Sequence, residues 1–151
     1  MSELRELYQS VILDHNKKPR NFGVVDGANR SADGHNPLCG DVIHVTALVD
    51  DAGKIEDLGF EGQGCAISTA SASLMTQAVK GRSIDEAREL FAGFRGLVTS
   101  DPTLEPDTTQ LGKLAVFSGV RQFPMRVKCA TLAWHTLANA LDGSGETAVT
   151  E

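Results

Sequence analysis

Val42-Ile43-His44-Val45-Thr46-Ala47-Leu48-Val49 decides the fold, together with the Asp50-Asp51-Ala52-Gly53 that closes it. Ile43, Val45, Ala47 and Val49 alternate with Val42, His44, Thr46 and Leu48, a period of two that sends every second side chain to one face of a strand. The Asp- and Gly-containing tetrapeptide predicts a hairpin turn, with residues 54–60 returning as a second strand. Upstream the period lengthens. Leu4, Leu7, Tyr8, Val11 and Ile12 recur at helical spacing and give one apolar stripe. That helix stops before Lys17-Lys18-Pro19, where two lysines suit its negative end and Pro cannot continue it. Residues 20–38 hold Gly23, Gly27, Gly34 and Pro37 among polar residues and are expected to be loop.

Downstream of the strands, Gly59, Gly62 and Gly64 bend the chain and bring the backbone up to Cys65. Residues 66–80 predict a helix packed closely through Ile67, Ala70, Ser71, Leu74 and Ala78. A short helix follows from about Ser83, with Asp85 and Glu86 suited to its first turn. Residues 93–109 have loop composition, with Gly93, Gly96, Asp101-Pro102 and Glu105-Pro106. With the short helix expected at 111–117, they are taken as an insertion on the surface over about 93–117. Phe123-Pro124 opens the last helix, Pro fitting its first turn, and Val127, Ala130, Thr131, Trp134, Leu137, Ala138 and Leu141 form its stripe. Gly143-Ser144-Gly145 ends it, leaving a frayed tail over about 143–151. Helix, strands, then helices predict one α+β domain over 1–151, a small antiparallel sheet packed against several helices.

Composition narrows the function classes. Hydrophobic content of 41% and charged content of 23% are those of a globular protein. A net charge of -6 with no run of Lys or Arg argues against nucleic acid and anionic membranes as partners. The charged, amphipathic Met1-Ser2-Glu3-Leu4-Arg5-Glu6 is not the pattern of a signal peptide, and no apolar run is long enough to span a bilayer. Three cysteines cannot pair completely and suit a reducing compartment, so a cytoplasmic location is expected.

Those cysteines carry the chemistry. Cys39 lies in a turn-rich stretch with Gly40 beside it and Asp41 two residues on. Cys65 falls at a helix N-terminus, where free N–H groups and the dipole favour thiolate. Cys129 sits inside the last helix, flanked by Arg126 and Lys128, whose charges suit neighbouring thiolates. Three thiolates and one carboxylate make the four ligands that zinc takes in a tetrahedral site. Any one of these cysteines alone is better explained as a small buried hydrophobe; the joint placement of all three favours a metal site. An oxygen ligand in place of a fourth sulfur looks built to be opened. The four histidines are better explained as structural residues, with His35, near Cys39, the one to watch. Gly62-Gln63-Gly64 completes no phosphate-loop pattern, and the serines show no hydrolase order.

The same residues carry a resemblance. Leu7-Tyr8-Gln9, Asp14-His15 and Pro19-Arg20-Asn21 resemble the N-terminus of the IscU/NifU-type iron–sulfur cluster assembly proteins. So do Asn36-Pro37-Leu38-Cys39-Gly40-Asp41, Gly62-Gln63-Gly64-Cys65-Ala66-Ile67-Ser68 and Val127-Lys128-Cys129-Ala130. Lys128 stands where IscU scaffolds carry His, and the stretch near 93–117 resembles an insertion of the SufU branch. The resemblance implies an IscU/SufU-like α+β fold and a zinc-dependent sulfurtransferase. Its ligands would be Cys39, Asp41, Cys65 and Cys129, with Arg126 and Lys128 behind them. Cys39 would accept persulfide sulfur from a SufS-type cysteine desulfurase and pass it to Suf cluster-assembly components. Two alternatives remain open: a scaffold on which a labile 2Fe–2S cluster, or iron, is held by the same residues, and a zinc-stabilised interaction module without transfer chemistry.

Overall fold

The computed structural model describes residues 2–103, 111–144 and 146–150. Helix α1 (Ser2–Lys17) leads into strands β1 (Arg30–Asn36), β2 (Asp41–Val49) and β3 (Ile55–Gln63). Helices α2 (Ala66–Val79) and α3 (Ile84–Thr99), a 3-10 helix (Gly112–Gln122), α4 (Pro124–Leu141) and strand β4 (Ala148–Val149) follow. The class is α+β, and the strand order is β3-β2-β1-β4. Strand β2 is antiparallel to both neighbours, whereas β4 runs parallel to β1, so the sheet is mixed rather than purely antiparallel.

The β2–β3 hairpin forms as its pattern requires. Ile43, Val45, Ala47 and Val49 are all buried. Asp50 Oδ1 accepts the Ala52 and Lys54 N–H groups at 2.9 Å each, and Gly53 takes the positive φ of +85° that closes the turn. In α1, Tyr8, Val11 and Ile12 pack against the core, while the side chains of Leu4 and Leu7 lie outside the described residues. Helix α3 starts on a reciprocal cap between Ser83 and Glu86.

Three expectations are corrected. Residues 30–36, expected to be loop, form strand β1. Its inward positions are Ala32, Gly34 and Asn36, small or polar residues that carry no apolar alternation. They are small because α4 crosses this strand closely: a Cβ on Gly34 would overlap Thr136 Oγ1. Residues 93–99, assigned to a surface insertion, continue α3, and in residues 112–122 Leu114, Ala115, Val116, Phe117 and Val120 are buried. Phe94 stacks on Trp134 at 4.9 Å and meets Phe117 edge-on at 5.6 Å, all three fully buried. Phe94, Leu97 and Val98 continue the helical stripe, and Gly93 and Gly96 sit on the exposed face, so these glycines do not break the helix. Leu104 and Glu105-Pro106 lie outside the described residues. Finally, the tail assigned as frayed contributes β4: Ala148 is buried, Thr150 N donates to His35 O at 3.2 Å, and Thr150 Oγ1 donates to Lys128 O at 3.3 Å. Gly145 and Glu151 lie outside the described residues.

Helix α4 lies across β1 and β2, and α2 lies beside α4 and α1. Ser71 Oγ donates to Ala130 O at 2.5 Å and accepts from Trp134 Nε1 at 3.2 Å, which locks α2 to α4 in the interior. A satisfied buried network of this kind specifies one arrangement of the two helices. No helix among the described residues is long and apolar enough to cross a membrane.

Candidate metal centre

The β1–β2 connection is drawn tight by Asn36. Cys39 N and Gly40 N both donate to Asn36 O, at 3.3 and 2.9 Å, and Leu38 N donates to Asn36 Oδ1 at 3.1 Å. Gly40 takes φ +72°, which turns the chain back into β2. Cys39 is thereby held on an exposed corner. Asp41, the first residue of β2, is fully buried. An unpaired buried carboxylate would be costly; this one accepts Cys65 N through Oδ1 at 2.9 Å, while Oδ2 lies 3.9 Å from Cys65 Sγ. Gly64 makes room for it, since a Cβ there would press on the Asp41 carboxylate.

Cys65 is the N-cap of α2. Its Sγ accepts Ser68 N at 3.4 Å, in the place that a Ser or Asp side chain commonly fills. Cys129, in the second turn of α4, is only 3% exposed. Its Sγ lies 3.4 Å from Cys39 Sγ and 3.8 Å from Asn36 Nδ2. Donor atoms of Cys39, Asp41 and Cys129 all lie within 4.8 Å of one another. Cys65 adjoins that group through Asp41. Three donors, from a turn, a strand start and a helix, thus meet at one end of the sheet, with Cys65 beside them across Asp41. Tetrahedral zinc with sulfur at about 2.3 Å and oxygen at about 2.1 Å separates its donors by about 3.5–3.8 Å. The Cys39–Cys129 and Asp41–Cys65 separations of 3.4 and 3.9 Å are of that order, and the group of three donors fits such an ion with Cys65 at its edge.

Burial pushes the Cys129 thiol far up from its ordinary range, helped by hydrogen bonding to Asp41 and Cys39 and by the neighbouring Cys65. Without a cation Cys129 therefore keeps its proton, and metal binding would have to displace it. Arg126 and Lys128 make no hydrogen bond or ion pair with these four residues among the described ones. The Arg126 guanidinium sits 4.4 Å from the centre of the Phe123 ring, and Lys128 contributes its backbone carbonyl to Thr131 and Thr150.

No histidine joins the donor group among the described residues. His15 is buried against Ser73 Oγ at 2.6 Å, His44 pairs with Asp33 at 2.8 Å, and His135 meets the Phe91 ring edge-on at 5.0 Å. His35 alternates with the inward Gly34 and Asn36 and points to the open face of the sheet. The residue that the sequence does not assign to the site is Asn36, which stands there only as the first residue of the Asn36-to-Asp41 motif, opening a Pro-containing turn. Apolar side chains rim this end: Leu38 is 58% and Met125 46% exposed.

Comparison with known proteins agrees with this geometry. The NifU-like N-terminal domain family matches residues 7–130. A Streptococcus pyogenes protein named iron–sulfur cluster assembly scaffold protein IscU is 44% identical, the alignment covering 95% of this chain and 88% of that one. The zinc-dependent sulfurtransferase SufU of Bacillus subtilis is 43% identical over 90% of each chain. Among solved structures, FiSufU of Fervidobacterium islandicum, named as an assembly scaffold for the SUF system, superposes with a TM-score of 0.78. It is 37% identical, over 87% of this chain and 93% of that one.

Proposed function

The chain belongs to the NifU-like N-terminal domain family, among the iron–sulfur cluster assembly proteins of IscU and SufU type, and from that premise we propose that it is a zinc-dependent sulfur carrier. It takes persulfide sulfur from a SufS-type cysteine desulfurase in the cytoplasm and passes it to Suf cluster-assembly components. The observation that carries this reading is the division of the donor set. Asp41 and Cys129 are buried; Cys39 and Cys65 are both exposed, but Cys65 is held as a helix cap whereas Cys39 stands on a turn. A purely structural site has no use for a reachable thiol.

Zinc, when bound by Cys39, Asp41, Cys65 and Cys129, supplies the positive charge that holds the three sulfurs as thiolates. The remaining chemistry belongs to the chain. The Cys39 thiolate attacks the outer sulfur of the desulfurase persulfide, a new S–S bond forms on Cys39, and the desulfurase cysteine leaves as thiolate. Thiolate character and access govern such exchange, and Cys39 has the access. Asp41 is tied to Cys65 N–H and keeps the oxygen donor in place while Cys39 turns outward. The exposed Leu38 and Met125 offer the desulfurase an apolar contact beside the reacting sulfur.

Turnover of the cognate desulfurase on cysteine, measured with and without this protein, tests the proposal. Stimulation by the zinc-loaded protein, lost in Cys39→Ser, is expected, with an extra sulfur on the Cys39 peptide by mass spectrometry. Undiminished stimulation by Cys39→Ser would exclude the acceptor role. A brown, oxygen-labile protein holding iron and sulfide would put the scaffold role named for the streptococcal relative in its place.

A further inference from the structure

We propose that Asn36 is a positioning residue of the metal centre: its buried amide donates to the Cys129 sulfur and shapes the Cys39 turn, leaving Cys39 the one sulfur of three without an N–H donor among the described residues. The inference rests on the assignment of the four donors as a metal site and of Cys39 as the acceptor.

Asn36 is fully buried at the end of β1, beneath α4. A buried side-chain amide left unpaired is destabilising, so each of its polar atoms needs a partner. Oδ1 accepts Leu38 N–H at 3.1 Å, and Nδ2 faces Cys129 Sγ at 3.8 Å. The Asn36 backbone carbonyl takes the Cys39 and Gly40 N–H groups as well. One residue therefore ties the turn that bears Cys39 to the helix that bears Cys129. A shift in the Asn36 side chain would change the spacing between two of the donors.

The three sulfurs are not treated alike. Cys65 Sγ accepts Ser68 N–H at 3.4 Å, and Cys129 Sγ faces Asn36 Nδ2, whereas Cys39 Sγ meets only Cys129 Sγ among the described residues. A hydrogen bond from N–H to a thiolate draws charge from the sulfur, stabilising it as a ligand and weakening it as a nucleophile. Outer-shell donors tune metal ligands in this way. Cys65 and Cys129 are thereby set as ligands that stay. Cys39 has no N–H donor among the described residues to draw charge from its sulfur, which directs the incoming sulfur to it rather than to its neighbours.

The wild-type protein loaded with a nuclear-spin-active cadmium isotope tests the contact directly, because scalar coupling passes from N–H through the bonded sulfur to the metal. A proton–cadmium correlation spectrum is expected to show the Asn36 side-chain amide protons and the Ser68 N–H, with no cross-peak from the amides of Leu38 or Gly40. Ser68 coupling without Asn36 coupling would overturn the proposal. The second arm is Asn36→Ser, whose hydroxyl still accepts Leu38 N–H but carries no donor that reaches Cys129. Its zinc affinity, measured by chelator competition, is expected to fall about tenfold or more. The sulfur-to-metal charge-transfer band of its cobalt-loaded form should move to lower energy. An unchanged affinity and an unchanged band would also overturn the proposal. Should that variant not fold, the wild-type spectrum decides alone. Neither arm uses a desulfurase, so the fate of Asn36 is settled separately from that of sulfur transfer.

Discussion

The Cys39 turn and the pair of helices bearing Cys65 and Cys129 build one centre by opposite means. The turn is held by hydrogen bonds from backbone N–H groups to a single residue, Asn36, and lies at the surface. The helices are held by the core: Ser71 joins α2 to α4, and the Phe94–Trp134–Phe117 cluster supports α4 from behind. The lesson concerns what can move without unfolding the chain. Repositioning Cys39 needs changes in one short turn, whereas displacing Cys129 disturbs the packing of a helix buried along most of its length. Asp41 stands between them, on the strand that follows the turn but bonded to the N–H of Cys65.

The strongest way to break this comparison is to remove one sulfur from each side. Cys129→Ala is expected to abolish stoichiometric zinc and to lower the melting temperature of the zinc-treated protein by about 10 °C, a loss of roughly 3–4 kcal/mol for a domain of this size. Cys39→Ser should abolish desulfurase stimulation while lowering the melting temperature by less than half as much. Thermal melts and metal analysis on the two variants check both. Equal destabilisation would mean that the turn is as firmly built into the fold as the helix.

Gly64→Ala sharpens the position of Asp41 without changing any ligand. The added methyl presses on the carboxylate, so zinc affinity should drop about tenfold, with a smaller change in the melt of the metal-free protein. Unchanged affinity would show that the oxygen donor tolerates displacement.

The smallest expected effect lies away from the centre and serves as its control. His15, between α1 and α2, is held below its ordinary pKa by burial and then by the charge of Arg20, with Lys113 adding slightly and Asp14 opposing. Its neutral form is thus the one the fold accepts, and the unfolded chain binds a proton more readily. Stability from this residue is therefore fully present above the unfolded pKa of about 6.5 and falls as pH drops toward the lower folded value. Urea melts of the metal-free protein should show a modest decline below about pH 6.5 that His15→Gln reduces, the remainder coming from His135, which burial and Arg95 also hold low. A decline of the same size in His15→Gln would place the titrating group elsewhere.

Much of this was legible from residues alone, for identifiable reasons. The β2–β3 hairpin is written in alternation and in Asp50 and Gly53. The start of α4 is written in Pro124, and that of α3 in Ser83 and Glu86. The three thiols stood out because each sits beside Gly, Asp or a basic residue, and Asp41 because it lies two residues from Cys39. Strand β1 was not legible, because the close crossing of α4 replaces apolar inward residues with Ala32, Gly34 and Asn36. Residues 93–99 read as loop because Gly93 and Gly96 suggest a break, although on the exposed face of a helix they cost little packing. The tail gave no signal because two residues, Ala148 and Val149, are too short for a period to show.

The sequence by itself determined the chemical inventory: three thiols, one carboxylate near the first of them, and helical and strand periods that place each on a known kind of element. Those are local properties, set by neighbours along the chain. Only the tertiary structure decided that donors from positions 39 to 129 meet within a few ångströms, that Asn36 is buried between two of them, and that His35 and Arg126 turn elsewhere. Such facts depend on how closely α4 crosses β1 and on which side chains then lose their water, and a linear pattern records neither.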